Sequence, residues 1–463
     1  MDGSECRDSG VHRAISPVRK TGMNTLERRG PRGAFLRRHA SDATGKPMKI
    51  DTMRQIDRLA GVPLCAAATV LVRLRDRLRR RSARPVRRIL FVELSEMGTT
   101  VLADPAMRKA RETASAELYF VIFTRNVGSL ELLGSFPPDN IFTISDHSIF
   151  GIAYGALTFL FWTRRKQIDT VVDLELFSRF TALLSGLCGA DRRIGFHRFH
   201  QEGLYRGEML THRVAYNPHI HIAKNFIALI DALFAPAPQI PYSKTRIGDD
   251  QIAAKMATTI APPSNEARAR LLARIGSLVP FDPATHRLVL INPNASELLP
   301  HRRWMPDRFD QLIRRILAAY DDVCVLITGA PEERAQAEQL AAANGPRCAS
   351  FAGHSALAEL PALFAHAAVM VTNDSGPAHF AAAAGLPTIV LFGPETPKLY
   401  QPLGTSRAIY AGLACSPCVS AHNHRKTACT DNVCMQAIAV DEVYAAVADV
   451  LSAPQRPPHT SAP

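Results

Sequence analysis

VTNDSGPAHFAAAAGLPTIVLFGPETPKLY, residues 371–400, reads as strand, turn, helix and strand in quick succession. An apolar run ends at Asp374, and Ser375 and Gly376 form the turn. Pro377 sits where a first helical turn tolerates proline, and Gly385 then Pro387 stop the helix. A helix N-terminus is thereby presented at the carboxyl edge of a sheet. Its free N–H groups and dipole favour an anion such as a pyrophosphate. The run Ala381–Ala384 lets the helix lie close on the sheet. Taken alone, Asp374 or Ser375 could merely cap that helix, with His379 in its first turn.

Outward from this segment the same rhythm repeats. RRILFVEL (87–94), AELYFVIF (116–123), IFTIS (141–145), DTVVDLEL (169–176) and RRIGF (192–196) read as buried strands separated by helical stretches. After a proline-rich interval at 235–285, HRLVLINP (286–293), DVCVLITG (322–329), AAVMVTND (367–374), PTIVLFG (387–393) and RAIYAG (407–412) restart the pattern. Strands alternating with helices predict an α/β protein with two Rossmann-like, doubly wound parallel-sheet domains. No G-x-G-x-x-G follows the opening strand, so a dinucleotide oxidoreductase has no support.

Within 371–400, D-S-G-x-x-H, A-A-x-G-x-P and L-F-G-P-x-x-P occur in order, a series that resembles glycosyltransferase family 9, the ADP-heptose:lipopolysaccharide heptosyltransferases and their relatives. The resemblance covers roughly 86–450. INPNAS (291–296), RRWMPDRF (302–309), LITGAPEE (326–333) and DTVVDLELFSRFTALLSGLCGADRRIGF (169–196) are similar to other family segments. It implies a GT-B fold: an acceptor domain over 86–240, a linker over 241–285 and a nucleotide-sugar domain over 286–450, with a cleft between the domains. It further implies inverting transfer of a heptose-like sugar from a nucleotide diphosphate to a lipopolysaccharide-type glycolipid. Asp374, Ser375, Gly376 and His379 would meet the donor's diphosphate and sugar. Arg302 stands where the family often has a phosphate-binding lysine, a change that keeps charge but alters geometry. Glu333 would accept hydrogen bonds from ribose hydroxyls, although a first-turn glutamate is the commoner reading.

One position departs from the pattern. Many family members carry Gly-Asp after the first strand, the Asp being the proposed base, whereas this chain has Gly98-Thr99. A threonine hydroxyl is no base near neutral pH. Glu96 in the same loop is the best substitute, with Asp104 second but a turn further along the helix. Either Glu96 takes the acceptor's proton, or the helix terminus and Arg302 stabilise the departing diphosphate without a base. A catalytically silent nucleotide-sugar-binding homologue is an alternative. So is a GT-B epimerase, which needs a carboxylate pair between domains.

The chain has 463 residues and a net charge of +13, but residues 1–88 hold 22 Lys and Arg against 8 Asp and Glu. The remaining body is close to neutral. Without aromatic residues interleaved among the arginines, the basic arm does not suggest nucleic acid. Residues 1–47 have the composition of a disordered basic tail. Over 48–85, LAGVPLCAAATVLV (59–72) precedes the basic RLRDRLRRRSARPVRR. Fourteen residues fall short of the roughly 20 that span a bilayer. An interfacial anchor on an anionic inner-membrane surface is expected, the alternative being a first helix packed on the domain. Residues 451–463 read as a second tail.

No catalytic cofactor is expected. Cys415, Cys418, Cys429 and Cys434, with His422 and His424 between, follow a spacing that could hold a structural zinc. Scattered cysteines elsewhere fit a reducing cytoplasm.

Overall fold

A computed structural model describes residues 50–78, 85–176, 178–200, 202–236, 239–253, 264–296, 299–423 and 425–453. The expected tail over 1–47 and residues 454–463 of the expected tail over 451–463 lie outside these residues, as does His424; residues 451 and 452 instead end the last helix, with Leu451 buried.

The first sheet contains β1 (Arg88–Val92), β2 (Glu117–Phe123), β3 (Ile141–Ile144), β4 (Thr170–Asp173), β5 (Arg192–Phe196) and β6 (His212–Val214). The second contains β7 (Arg287–Asn292), β8 (Val323–Ile327), β9 (Cys348–Ser350), β10 (Ala367–Asn373), β11 (Thr388–Phe392) and β12 (Ser406–Tyr410). All pairings are parallel, in the orders 3-2-1-4-5-6 and 12-11-10-7-8-9. The second order is the first repeated, so both domains are doubly wound. Each has a switch point where strand order reverses, between β1 and β4 and between β7 and β10.

The central strands β1, β2, β7, β8 and β11 are largely apolar because both faces are covered. In β1, Ile89 and Phe91 face a layer containing α3 (Met97–Ala114) and α6 (Ile222–Leu233), while Leu90 and Val92 face α4 (Ile149–Arg165) and α5 (Arg179–Leu187). In β7, Leu288 and Leu290 face α7 (Asn265–Gly276), α10 (Leu360–His366) and α11 (Gly376–Ala383). Val289 and Ile291 face α8 (Pro306–Ala319), α9 (Arg334–Ala342) and α12 (Val440–Ser452). This is the two-residue period of a pleated strand.

The expected linker is not all loop. Its last part is α7, whose Leu271 and Ile275 are buried and whose Arg274 pairs with Glu359 at 3.0 Å, so it belongs to the second domain. Strands β6 and β9, three residues each, are too short to leave a period in the sequence.

The apolar arm forms α1 (Ile50–Leu59) and α2 (Gly61–Leu78). One face of α2, with Cys65, Ala68 and Val72, packs on Ala182 of α5 and on Met209. Asp57 accepts from the N–H groups of Arg179 and Phe180 and pairs with the Arg179 guanidinium at 2.8 Å. The helix thus docks on the domain, while Leu64, Leu71, Leu74 and Leu78 on its other face remain exposed. Among the described residues no single helix is long and apolar enough to cross a membrane. Together α1 and α2, bent by 45°, pass on length and composition.

Candidate functional site

The cleft lies where the carboxyl ends of β1 and β4 face those of β7 and β10. Across it α3 packs on α11. Gly98 in the first turn of α3 meets His379 so closely that a Cβ there would lie 2.7 Å from His379 Cδ2. Glycine is required by that approach, whatever its backbone angle. At the cleft's rim, His221 Nε2 donates to the Gln401 carbonyl across the domains at 2.8 Å.

On the second domain, β10 ends at Asn373 and Ser375 is the N-cap of α11 in an extended conformation. Asn373 is a scaffold: its Oδ1 accepts from the Trp304 N–H at 3.0 Å and its Nδ2 donates to the Pro293 carbonyl at 2.8 Å. Trp304 is fully buried, and its indole N–H donates to the Ile438 carbonyl. With Trp304 locked, Arg302 two residues earlier lies over the start of α11. Its Nε is 3.2 Å from Asp374 Oδ2 and its Nη2 is 2.5 Å from Glu395 Oε2.

A second guanidinium completes the cluster. Arg425 pairs with Glu96 of the first domain and lies 3.3 Å from Glu395 Oε1, with its guanidinium stacked 5.4 Å from the Tyr400 ring centre. Thr99 Oγ1 donates to Glu96 Oε2 at 2.8 Å. Three carboxylates and two arginines from both domains thus form one network, in which Asp374 and Glu395 are buried and Glu96 and the two arginines are half-buried.

Burial alone would raise the pKa of Glu96, but Arg425 and Arg302 outweigh it and hold the carboxyl below its ordinary range. Burial pushes Asp374 up to about 6 against the pull of Arg302, with Glu395 adding to the rise. His379 is lowered to about 3 by burial, with His221 and Arg302 adding to it, so its imidazole is neutral near pH 7. Its buried Nδ1 has no hydrogen-bond partner among the described residues.

Beneath the Glu96 loop lies another acidic pair at the first switch point. Glu93 and Glu175 are both buried. Glu93 Oε1 accepts from the N–H groups of Ser95 and Glu96 at 3.2 Å each, and Ser95 Oγ donates to Glu175 Oε1 at 2.7 Å. Burial, then the charges of Glu175 and Glu96, push the Glu93 pKa well above its ordinary value. Two carboxyls so placed hold a proton, and that proton-holding pair fixes the loop carrying Glu96.

A profile of glycosyltransferase family 9 (heptosyltransferase) matches residues 163–428, more than half the chain. The chain belongs to glycosyltransferase family 9. It is 34% identical over 111 residues to lipopolysaccharide heptosyltransferase 2 of Salmonella typhimurium and, over the same length, to that of Escherichia coli K12. Each match covers 23% of this chain and 32% of the relative, about a third of its length. In fold the chain is similar to the E. coli ADP-heptose LPS heptosyltransferase II (TM-score 0.57, 17% identity, 79% of this chain and 98% of that one). It is likewise similar to a family 9 glycosyltransferase of Veillonella parvula (TM-score 0.59, 18% identity, 79% and 97%). The two parallel sheets are therefore those of a GT-B fold.

Several of this family 9 chain's expected site residues come together: Arg302, Asp374, Ser375, Gly376 and His379 on one domain, Glu96 and Thr99 on the other. Glu333 stands apart, at the end of β8, where its carboxylate accepts from the Ala330 N–H at 2.7 Å. Asn294 borders the same spot: a Cβ on Gly329 would meet Asn294 Nδ2 at 2.7 Å and Glu333 Oε2 at 2.9 Å. Asp104 is turned away, with Ser135 Oγ and Arg108 as its partners. Among the described residues no three His, Cys, Asp or Glu side chains group as a metal site. Of the four cysteines of the expected zinc site, Cys415 is exposed, Cys418 and Cys429 are half-buried and Cys434 is buried.

Sequence reading missed Glu395 and Arg425. Glu395 stood in plain view as an unassigned position of L-F-G-P-x-x-P. Arg425 lies in the cysteine-bearing loop, and nothing local marks it.

Proposed function

We propose that the protein is an inverting glycosyltransferase that moves a sugar from a nucleoside-diphosphate donor to a lipopolysaccharide-type glycolipid. ADP-heptose is the donor favoured by the named relatives. The observation that carries the reading is the N-terminus of α11 at the second switch point, bracketed by Arg302 and facing Glu96 across the cleft. The helix N–H groups and the arginines attract the diphosphate. It competes with Asp374 and Glu395 for those guanidinium groups.

As the acceptor hydroxyl attacks the anomeric carbon, the bond to the diphosphate oxygen breaks and the diphosphate leaves with the electron pair. Glu96 takes the hydroxyl proton. Its ionised state near pH 7 suits that role, and Thr99 orients it. A second reading rests on the Arg425 pair, which weakens Glu96 as a base: the two arginines then carry the reaction by stabilising the leaving group. Changing Glu96 to Gln separates them. A general base contributes roughly 10²–10⁴-fold, so turnover should fall by at least about 100-fold; near-normal turnover would assign catalysis to the arginines.

The acceptor, a membrane glycolipid, would place the enzyme peripherally on the cytoplasmic face of the inner membrane, with α1 and α2 beside the anionic surface. Thermal-shift measurement on the full chain tests the donor. Stabilisation by ADP-sugars above UDP- and GDP-sugars is expected, and indifference to every nucleotide would refute the proposal.

A further inference from the structure

On the outer side of the first domain, α4 carries its apolar residues in two opposed stripes. Gly155, Phe159 and Thr163 are buried against the sheet. On the opposite side Ile149, Phe150, Tyr154, Leu157 and Phe161 are 53–88% exposed. Positions 150, 154, 157 and 161 are spaced by four, three and four, one unbroken face of a helix. No charge interrupts it until the exposed Arg164 and Arg165 at the last turn. A soluble helix normally presents polar residues there.

Helix α2 repeats the pattern beside it. Leu64, Val70, Leu71, Leu74 and Leu78 are 53–78% exposed, and Arg73 and Arg77 close the helix. Both helices pack on α5. Their basic ends converge on one spot: Arg75 Nη2 donates to the Ala190 carbonyl at 3.5 Å and Arg164 Nη2 to the Leu187 carbonyl at 3.1 Å, Leu187 ending α5 and Ala190 lying just past it.

We propose that this α2–α4 face is the surface on which the protein docks to an anionic bilayer. Phe150, Tyr154, Leu157 and Phe161 enter the boundary between headgroups and acyl chains, and the arginines meet the headgroup phosphates. The inference deepens the peripheral-membrane reading above and rests on it. Apolar stripe and basic belt together match an anionic membrane, which is apolar within and negative at its surface. A second copy of the chain matches less well, because a two-fold contact pairs this face with itself, and its one carboxylate, Asp76, is already paired with Arg75 and Arg193 and so offers the arginines no partner. The face also leads to the cleft. Helix α4 follows β3, so Ile149 and Phe150 lie at the carboxyl edge of the sheet, the edge carrying the Glu96 loop.

Vesicle flotation of the full chain tests the surface, with phosphatidylglycerol-containing and pure phosphatidylcholine vesicles. It is run at low salt and at about 0.5 M, where exposed charges are largely screened. Wild type should float with the anionic vesicles and retain part of that binding at high salt. The triple variant Phe150→Ser, Leu157→Ser, Phe161→Ser should lose the salt-resistant part by about tenfold or more. Its thermal shift with nucleotide should be unchanged, which shows the fold and donor site intact. Salt-resistant flotation equal to wild type would overturn the surface and leave peripheral binding to the basic arm. Wild type that binds no vesicle would overturn both. If sedimentation velocity finds wild type self-associated and the variant monomeric, the face is a contact between copies and the proposal fails.

Discussion

At the scale of single residues, the cleft turns on how burial and neighbouring charge divide three carboxyls, Glu93, Glu96 and Asp374. Glu96 is held ionised by its arginines, whereas burial and the charges of Glu175 and Glu96 favour the protonated form of Glu93. The folded protein therefore binds a proton at Glu93 that the unfolded chain releases. Its contribution to stability is full below the ordinary glutamate pKa and is lost as pH rises toward the raised one. Changing Glu93 to Gln keeps an oxygen for the Ser95 and Glu96 N–H groups and removes the titration. The variant should melt higher than wild type at about pH 8 and alike near pH 4, followed by circular dichroism. Asp374, at about 6, gives a second expectation. A diphosphate approaching it binds better when the carboxyl is protonated. Donor affinity by calorimetry should then tighten as pH falls from about 7.5 to 5.5, and Asp374→Asn should flatten the dependence.

At the scale of elements, the cleft is set by where α3 and α11 touch. Each helix starts at a carboxyl sheet edge, and the two first turns meet with Gly98 against His379. A methyl group at 98 must push the imidazole or the helices apart. Gly98→Ala should cost about 1–3 kcal/mol in denaturant unfolding, the usual size for overfilling a packed contact. It should cost more in rate, about 10–100-fold, because misplacing reacting groups by an ångström is severe. Unchanged turnover would mean that this approach does not set the catalytic geometry.

Across the whole molecule, Arg425 is one charged tie between the domains, since Glu96 lies on one side and Glu395 and Tyr400 on the other. Arg425→Ala leaves those carboxylates without their shared cation. The variant should show a larger radius of gyration by small-angle scattering and a fall in turnover, with each domain's secondary structure intact. A scattering profile identical to wild type would assign closure to the α3–α11 packing instead.

Local pattern alone determined much of this protein. Short, mostly apolar runs marked ten of the twelve strands, because strands covered on both faces leave little other signature. Asp374, Ser375, Gly376 and Pro377 marked a helix start on a strand end, because turn and cap chemistry is local. Tertiary structure alone decided what crosses the cleft. Arg425 meets Glu96 from 329 positions away, and Glu93 meets Glu175 from 82 away. Neither contact leaves a period or a motif, since side-chain charges pair by distance in space. The same holds for the α4 stripe: its spacing is that of any buried helix face, and only the packed domain shows that it points outward.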